Sequence, residues 1–533
     1  MKNQAKAAAA LMSVFIMGGA VIGCSDNTAD TSGKKDANKG AAGQVNAIGF
    51  PIVKEPITLK MFGRRSAQNG PWKDMLVWKE YEKMTNVKVE FEDAGDQGFA
   101  EKRNLLIATN ELPDAFIRSD LTTVDALKNG KAGLLIPMEG LIDKYAPNIK
   151  KLFDQNPEVK KALTAPDGHI YALSDIVTLE SARLGLKPWI NKEWLQKLNM
   201  KSPTTSDELI EVLKAFRDKD PNGNGKPDEI PLAASSIADL INAVSGSWGL
   251  ERQMSYSINV KNDKVHIWLA DEENKQMLQF LRKLYEEKLL DNEIFTQNYA
   301  KYISKINSGN TGMFYIQETG PFSSVANSYT GMVPFKGPKG DQLVSAISPI
   351  ARSYGVFAIT NVNKYPEATM RWVDHFYGDE GSIFFRYGME GQTFVKKTDG
   401  SVEYTDDILN DKRGSSVAIG QFTIYPGGGA PQWINDKNSS GINPPQVQEA
   451  ANMLKPFIPK VVLGPPLFED ATRESVEKLK GDLDRYVAES NAKFITGSTG
   501  FDKWDEYLAT LKKLKVDELE KLYQQAYDAI NKK

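Results

Sequence analysis

The chain has 533 residues, enough for more than one domain, and a formal net charge of −3. It carries no charge surplus that would favour a nucleic acid or another polyanion as partner. Its hydrophobic content of 41% and charged content of 25% are those of an ordinary globular protein. The single cysteine, Cys24, excludes an internal disulfide and a thiolate metal site.

The N-terminus is typical of an export signal that ends at a lipid attachment site. Lys2 and Lys6 give a positive start, and residues 7–22 are apolar but too short and too rich in alanine and glycine for a membrane span. The sequence Val-Ile-Gly-Cys resembles a bacterial lipobox. We therefore expect residues 1–23 to be removed as a signal peptide and Cys24 to carry the lipid. The alternative, a buried packing thiol, has no reason to follow a signal peptide.

Residues 24–48 contain no aromatic side chain and almost nothing to bury, so they predict a flexible tether. Such a tether would hold a folded body away from the outer face of the cytoplasmic membrane.

The folded body begins with alternating strands and helices. Residues 57–62, 87–91 and 114–117 have strand patterns, and helix-like stretches lie between them. This alternation predicts parallel βαβ units, whose ligands bind at the carboxyl ends of strands. Residues 63–65 and 118–120 follow two of these strands. They are either part of a binding edge or solvated loop residues.

Helices dominate the middle and the end of the chain. Thr205 and Glu208 have capping-box spacing before one apolar face. Residues 504–514 and 519–530 carry two apolar stripes at helical spacing, which predict core packing.

A short loop after the middle helix is the sharpest local motif. Its oxygen-bearing residues alternate before a glycine, Gly225, that permits a tight turn. A calcium ion needs six to eight oxygen ligands, and a loop of this kind can supply them. The predicted ligands are Asp220, Asn222, Asn224, Lys226 through its carbonyl, Asp228 and Glu229. A second register begins at Asp218, and the alternative to a metal site is an Asn/Gly/Pro-rich turn.

Signatures of catalysis are missing from the sequence. The histidines His169, His266 and His375 are far apart and in no zinc-binding spacing. There is neither a G-x-S-x-G elbow nor a Walker A loop. A carboxylate pair for glycoside hydrolysis stays open, because 69 acidic residues offer many pairs.

Several segments, in order and spacing, resemble the extracellular solute-binding proteins of family 1, which feed ABC importers. They are most similar to LplA-like lipoproteins of Gram-positive bacteria and to alginate-oligosaccharide-binding relatives. The matching segments are residues 112–114, 167–173, 190–195 with 203–204, 247–250, 387–391, and 494–497 before 504–505.

The resemblance implies a type II periplasmic-binding-protein-like α/β fold of two lobes around a cleft, with a helix-rich second lobe. We expect the first lobe to comprise residues 49–175 and 333–395, and the second to comprise residues 176–332 and 396–533. The implied function is a monomeric, non-enzymatic receptor that closes on its ligand and docks on a permease in a Gram-positive bacterium.

Sugar recognition uses aromatic rings that stack on pyranose faces and polar groups that fix hydroxyls. The candidates are residues at loops or strand ends that no helical stripe explains, and core or surface placement is the alternative for each. They are Arg118, Ser119, Trp248, Tyr315, Gln317, Glu318, Tyr354 and Trp433. Trp194, beside two leucines at a helix start, is expected to be structural.

The leading hypothesis is therefore a lipid-anchored receptor for an oligosaccharide, with structural calcium. Two alternatives stay open: a receptor for a peptide or another polar nutrient, and an exported polysaccharide-degrading enzyme that uses a carboxylate pair.

Overall fold

The computed structural model describes residues 44–426, 428–439 and 444–531. The predicted signal peptide and Cys24 lie outside the described residues. The strands, in chain order, are β1 (Ile57–Arg65), β2 (Val87–Gly95), β3 (Ala115–Ile117), β4 (Leu173–Val177), β5 (Lys187–Asn191), β6 (Ile230–Ala233), β7 (Ile258–Lys261), β8 (Lys264–Ile267), β9 (Thr311–Ile316), β10 (Tyr329–Gly331), β11 (Ala351–Ile359), β12 (Phe394–Lys396), β13 (Val402–Tyr404) and β14 (Trp433–Ile434).

Helices cover both sheets and form most of the C-terminal third. The α-helices, in chain order, are α1 (Leu76–Thr85), α2 (Phe99–Thr109), α3 (Thr123–Lys131), α4 (Glu139–Tyr145), α5 (Pro147–Gln155), α6 (Pro157–Leu163), α7 (Glu180–Arg183), α8 (Lys192–Lys197), α9 (Ser206–Asp218), α10 (Ile237–Val244), α11 (Glu272–Glu286), α12 (Tyr299–Asn307), α13 (Pro366–Asp374), α14 (Asp379–Tyr387), α15 (Asp406–Leu409), α16 (Ser415–Ile419), α17 (Pro445–Leu454), α18 (Asp470–Thr496), α19 (Trp504–Lys513) and α20 (Val516–Asn531). Within the described ranges, none of these helices is long and apolar enough to cross a membrane.

The first lobe is built on a sheet of order β14-β4-β11-β3-β1-β2, in which β11 alone runs antiparallel to its neighbours. The alternation of β1 separates two cores. Leu59 and Met61 face one side with α4–α6 and α13, and Phe62 faces the other side with Phe116. The predicted parallel βαβ start is confirmed.

The second lobe has a smaller sheet of order β10-β5-β9-β6. Its core joins this sheet to α9, α11 and the C-terminal helices. Trp504, Leu511 and Leu519 are buried there, as the apolar stripes predict. Trp194 is also structural, since it lies edge-on to Phe216 with ring centroids 5.2 Å apart.

The predicted capping box is present in altered form. The Thr205 hydroxyl accepts a hydrogen bond from the Glu208 backbone N–H at 3.2 Å, as predicted. The Glu208 carboxylate, however, accepts from the backbone and hydroxyl of Thr204 instead of the backbone of Thr205. The helix start is thereby fixed from two residues.

Three crossings join the lobes, between β4 and β5, between β10 and β11, and between β14 and α17. The first two are tied together, because Leu184 bridges Ile347 and the Arg183 guanidinium donates to the Ser348 carbonyl at 2.8 Å. Buried Val344 packs with Leu184 and α17 at the same junction. The chain leaves the first sheet after Val177, the last residue of β4, and the expected lobe boundary at residue 175 stays a prediction.

The other expected boundaries need correction. Residues 396–434 belong to the first lobe, since β12–β13 and α15–α16 pack on Tyr387 and β14 adds to the first sheet. Residues 333–343 belong to the second lobe, where Phe335 is in the core and Lys336 pairs with Thr204. The expected tether is too long at its end, because Val45 bridges Val53 and packs on the first lobe.

Candidate functional site

The crossings place one edge of each sheet opposite the other. In the first sheet, the crossings meet the ends of β4 and β14 and the start of β11. These points lie at the edge of the sheet where β1 and β3 have their carboxyl ends. They enter the second sheet at the start of β5, which pairs with the end of β9. The groups at these two edges therefore face each other across the three crossings. Open α/β sheets bind their ligands beyond the carboxyl ends of the strands.

Arginine–aspartate pairs dominate the first-lobe edge. The Arg64 guanidinium lies 2.6 Å from the Asp96 carboxylate and 2.5 Å from the Asp120 carboxylate. Arg65 lies 2.5 Å from Asp93. The side chains of Asp96 and Asp120 remain about half exposed, so they present oxygens to a ligand.

A buried ion pair stands beside the first crossing. The Asp175 carboxylate, which is fully buried, accepts from the Arg352 guanidinium at 2.7 Å and from the Ser353 backbone N–H at 2.7 Å. The Arg352 side chain is 30% exposed. This pair ties β4 to β11 and leaves part of a guanidinium at the edge.

Arg118 and Ser119 directly follow β3, but both are fully buried. Arg118 donates to the Asn69 side chain and to the Ile424 carbonyl, each at 2.9 Å. Ser119 donates to the Gly355 carbonyl. Burial lowers the pKa of Arg118 to about 10. These residues hold the loops of the edge, and their placement does not support the prediction of direct ligand contact.

The second-lobe edge carries Gln317 and Glu318, both exposed. Beneath them lies Lys187, whose ammonium donates to the carbonyls of Ser181, Leu184 and Gln317 at 2.7, 2.8 and 2.6 Å. Lys187 is fully buried, and this desolvation lowers its pKa to about 7. It fastens the first crossing to the strand end that presents Gln317 and Glu318.

The four predicted aromatic contacts divide into two groups. Trp433 is half-buried at the end of the first sheet, and its indole N–H donates to the Thr178 hydroxyl at 2.9 Å. Tyr354 is half-buried on β11, and burial raises its pKa. Trp248 and Tyr315 are buried in the second-lobe core, where Trp248 packs on Phe280 and Phe335. That placement gives Trp248 and Tyr315 a packing role.

A cavity of about 1080 Å³ also lies between the lobes. Its walls are α5–α6 of the first lobe, residues 461–469 and α20 of the second lobe, and residues 349–351 of the second crossing. The charged lining residues are Asp143, Lys150, Asp154, Glu158, Lys160, Lys161 and Glu469. None of the predicted contact residues, all of which are described, lines this cavity.

The side chains of the candidate calcium loop form hydrogen bonds within the loop itself. The Asp220 carboxylate accepts from the backbone N–H groups of Gly223, Asn224 and Gly225 at 3.0–3.1 Å. The Asn224 side-chain amide donates to Asp228, as does that of Asn222. Gly225 has a φ of +72°, as the predicted tight turn requires.

This loop is suited to a hard cation. One Glu229 carboxylate oxygen is buried with no hydrogen-bond partner, and burial together with the charges of Asp220 and Asp228 raises the pKa of Glu229. Asp218 instead pairs with Arg217 at 2.6 Å, which favours the register that begins at Asp220. The donor set fits calcium because it consists of carboxylate, amide and carbonyl oxygens.

Carboxylates alone do not make the site. In the part of the chain that the structure describes, no three His, Cys, Asp or Glu side chains are grouped to hold a metal ion.

The loop also lies far from the cleft edge. It precedes β6, which pairs with the first residues of β9, whereas Lys187 pairs with the last residue of β9. The length of β9 separates the two places by about 16 Å.

Sequence reasoning missed the Asp175–Arg352 pair and buried Lys187. Neither lies in a recognisable motif, because their partners are more than 100 residues away or are backbone carbonyls. The signal that did identify the first-lobe edge was the position of Arg64 near the carboxyl end of β1 and of Asp120 just after β3.

Two α/β lobes that are joined by three crossings around a polar cleft define a binding protein of the type II periplasmic-binding-protein-like class. The sequence model of the bacterial extracellular solute-binding proteins matches residues 66–383, and the chain belongs to this family. The predicted family and fold class are confirmed.

Among the proteins that this chain resembles is one whose name specifies a carbohydrate ligand. The fructooligosaccharide ABC transporter substrate-binding protein FusA of Streptococcus pneumoniae is 29% identical over 515 residues, covering 93% of this chain and 94% of FusA. Its structure with kestose has a TM-score of 0.71 at 28% identity and covers 89% of this chain and 99% of that one. An EF-hand mutant of FusA in complex with fructo-nystose matches with a TM-score of 0.70 at 27% identity and the same coverage.

Two further similar proteins have names that mention a calcium ion and a lipid anchor. Alginate-binding protein AlgQ2, solved without calcium ion, matches with a TM-score of 0.68 and 25% identity over 89% of this chain and 99% of that chain. Lipoprotein LipO of Bacillus subtilis is 26% identical over 274 residues, 51% of this chain and 52% of LipO.

Proposed function

We propose that this protein is the receptor of an ABC importer, that it captures an oligosaccharide between its lobes, and that it delivers the sugar to the permease without chemical change. The observation that carries the proposal is the pair of polar edges that face each other across three crossings. Only a ligand that touches both edges favours the closed state, so capture and closure are one equilibrium.

The groups at the edges suit sugar hydroxyls. Asp96 and Asp120 offer exposed carboxylate oxygens held in place by Arg64, and Gln317 and Glu318 offer polar groups from the opposite lobe. Trp433 adds a partly exposed ring for stacking. The names of FusA, with fructooligosaccharide, and AlgQ2, with alginate, support an oligosaccharide ligand.

We further propose that Cys24 anchors the protein to the outer face of the cytoplasmic membrane of a Gram-positive bacterium. The lipobox-like sequence and the similarity to a lipoprotein support this. A diacylated cysteine supplies the two chains that stable anchoring needs. Cys24→Ala should release the body from membranes, and labelled fatty acid that still enters the variant would refute the assignment.

Calcium is proposed as a structural ion of the loop after α9. Asp220, Asn222, Asn224, Asp228 and Glu229 would hold it through side-chain oxygens, with the carbonyl of Lys226. When bound, the ion would supply positive charge that compensates the carboxylates of Asp220, Asp228 and Glu229. Ligand capture does not need it directly, because the loop lies at the opposite end of β9 from the hinge.

A thermal-shift screen against a glycan library, run beside a hydrolysis assay, tests the receptor function. We expect an oligosaccharide to raise the melting temperature with no cleavage products, because a ligand that binds only the native state stabilises it. Trp433→Ala should weaken that binding by about 1–2 kcal/mol, the loss of part of an apolar ring contact. Cleavage that stops on substitution of one Asp or Glu would make the protein an enzyme instead.

A further inference from the structure

We infer that Tyr299 is the aromatic platform of the second lobe, on which a sugar ring of the captured oligosaccharide stacks. The inference rests on the proposed function and adds to it a residue that contacts the ligand from the second lobe. The side chain of Tyr299 belongs to a residue that is 54% exposed. The two rings that the sequence predicts as contacts in this lobe, Trp248 and Tyr315, are buried in its core and offer no face to a sugar.

Tyr299 lies at the edge of the second sheet that meets the crossings. It is the first residue of α12, which is followed by β9 after a loop of three residues. One turn further along this helix, the Tyr302 hydroxyl donates to the Tyr315 carbonyl at 2.8 Å, so the start of α12 is fastened beside the end of β9. Just before the helix, the Gln297 side-chain amide donates to the Ala234 carbonyl at 2.8 Å. Ala234 directly follows β6, which is parallel to β9, so both contacts place Tyr299 at the carboxyl ends of these strands.

Polar groups that suit sugar hydroxyls lie at the same edge. Gln317 and Glu318 follow β9 directly and are exposed. After β6, the Ser235 hydroxyl donates to the Asp239 carboxylate, and both residues are partly exposed. Partial burial and the negative charge of Glu318 raise the pKa of Tyr299, which agrees with a carboxylate near this ring. A flat ring with a few polar groups around it is what a sugar requires, since the ring covers an apolar face and the polar groups bind hydroxyls.

Packing within the lobe does not explain the exposure of this ring. Tyr302 is fully buried in the core between α12 and the sheet. The Tyr299 ring lies next to it, with ring centroids 6.1 Å apart, and keeps more than half of its surface in water. Trp433 is the partly exposed ring of the opposite edge. A sugar chain that stacks on Trp433 and Tyr299 touches both lobes, which is the condition for closure.

Calorimetry on the wild type and its variants tests the platform. The probe is the tightest binder from a glycan library that contains fructo-, gluco-, manno- and galacto-oligosaccharides. Tyr299→Ala removes the ring and should weaken binding about tenfold, the size expected for loss of a stacked ring. Tyr299→Leu keeps an apolar side chain without a flat face, so it should not restore the affinity. Tyr299→Phe keeps the flat face and should bind within about threefold of the wild type.

The matched control is Phe50→Ala, which removes a partly exposed ring of the first lobe and should leave sugar affinity unchanged. Phe50 lies near the amino end of β2, because the backbone N–H of Ile52 donates to the carbonyl of Thr85. Circular dichroism establishes that the variants fold. Wild-type affinity in folded Tyr299→Ala or Tyr299→Leu overturns the inference and leaves the proposed function standing. Equal weakening by Tyr299→Phe and Tyr299→Ala also overturns it, because the hydroxyl would then carry the contact. A library in which no oligosaccharide binds the folded wild type overturns the proposed function and the inference with it.

Discussion

Two acidic clusters of this protein differ in what balances their charge. At the cleft edge, each of four aspartates has an arginine within 3 Å. In the loop after α9, Asp220, Asp228 and Glu229 form no ion pair with a lysine or arginine in the described chain. Paired carboxylates are fixed in geometry and ready to accept hydrogen bonds from a ligand, whereas unpaired ones call for a cation.

The difference teaches that the number of carboxylates in a cluster does not define its role. The cleft edge carries its counter-charges within the fold and is complete without an ion. The loop is closed by amide donors to Asp228 and leaves a Glu229 oxygen without a partner. The two clusters should therefore respond in opposite ways to loss of an arginine and to addition of calcium.

The largest effect is expected when the buried pair at the cleft edge is broken. Arg352→Met leaves the fully buried Asp175 without its cation and should lower the free energy of unfolding by about 3 kcal/mol. Urea unfolding measures this. Arg413→Met is the matched control, since its pair with Asp411 is on the surface and should contribute less than about 1 kcal/mol. Equal destabilisation by the two substitutions would contradict a special role for the buried pair.

Calcium should stabilise the loop cluster by a slightly smaller amount. At a hundredfold excess over its dissociation constant, the ion should add about 2.7 kcal/mol to the free energy of unfolding. Asp220→Ala with Asp228→Ala should abolish this gain, and Asp218→Ala should retain it because Asp218 pairs with Arg217. Melting curves with calcium and with EDTA provide the measurement. If the wild type melts at the same temperature with calcium and with EDTA, and elemental analysis finds no bound metal, the loop does not bind calcium.

Lys187 is the reverse case, a buried cation that has no carboxylate partner. Its native pKa of about 7 lies below the ordinary lysine value near 10.4, so between these pH values the unfolded chain binds a proton that the native chain does not. Stability should therefore rise with pH across this range, by at most about 1.4 kcal/mol per pH unit from this group. Below pH 7 both states are protonated and the group adds no slope.

Urea unfolding at pH 6, 7.5 and 9 measures the effect of Lys187. Lys187→Met should flatten the rise between pH 7.5 and 9, whereas Lys192→Met, a change at an exposed lysine of α8, should keep it. The same slope in all three proteins would place the titration elsewhere.

Local patterns in the sequence were sufficient to predict much of the fold. Strand alternation at residues 57–62 and the helical stripes after Trp504 depend on contacts that each element makes with one side of a core, and both are confirmed. The lobe boundaries were harder, because a crossing has no composition of its own. The return of residues 396–434 to the first sheet depends on pairing of β14 with a strand more than 250 residues earlier.

The candidate site divides in the same way. Residues at or just after the carboxyl end of a parallel strand are expected at the binding edge, and Arg64 and Asp120 are found there. Burial of the neighbouring side chain was not predictable, because Arg118 turns inward to reach carbonyls at residues 424 and 426. Trp248 gave a similar ambiguity, since a loop tryptophan suits stacking and core packing equally, and its neighbours Phe280 and Phe335 are distant in sequence.

Small-angle X-ray scattering with and without the oligosaccharide that binds best in the glycan-library screen tests the central claim of capture between two lobes. A ligand that contacts both edges should shift the population to the closed state, so saturation should reduce the radius of gyration. An unchanged radius of gyration at saturating, calorimetrically verified ligand would contradict closure around the sugar.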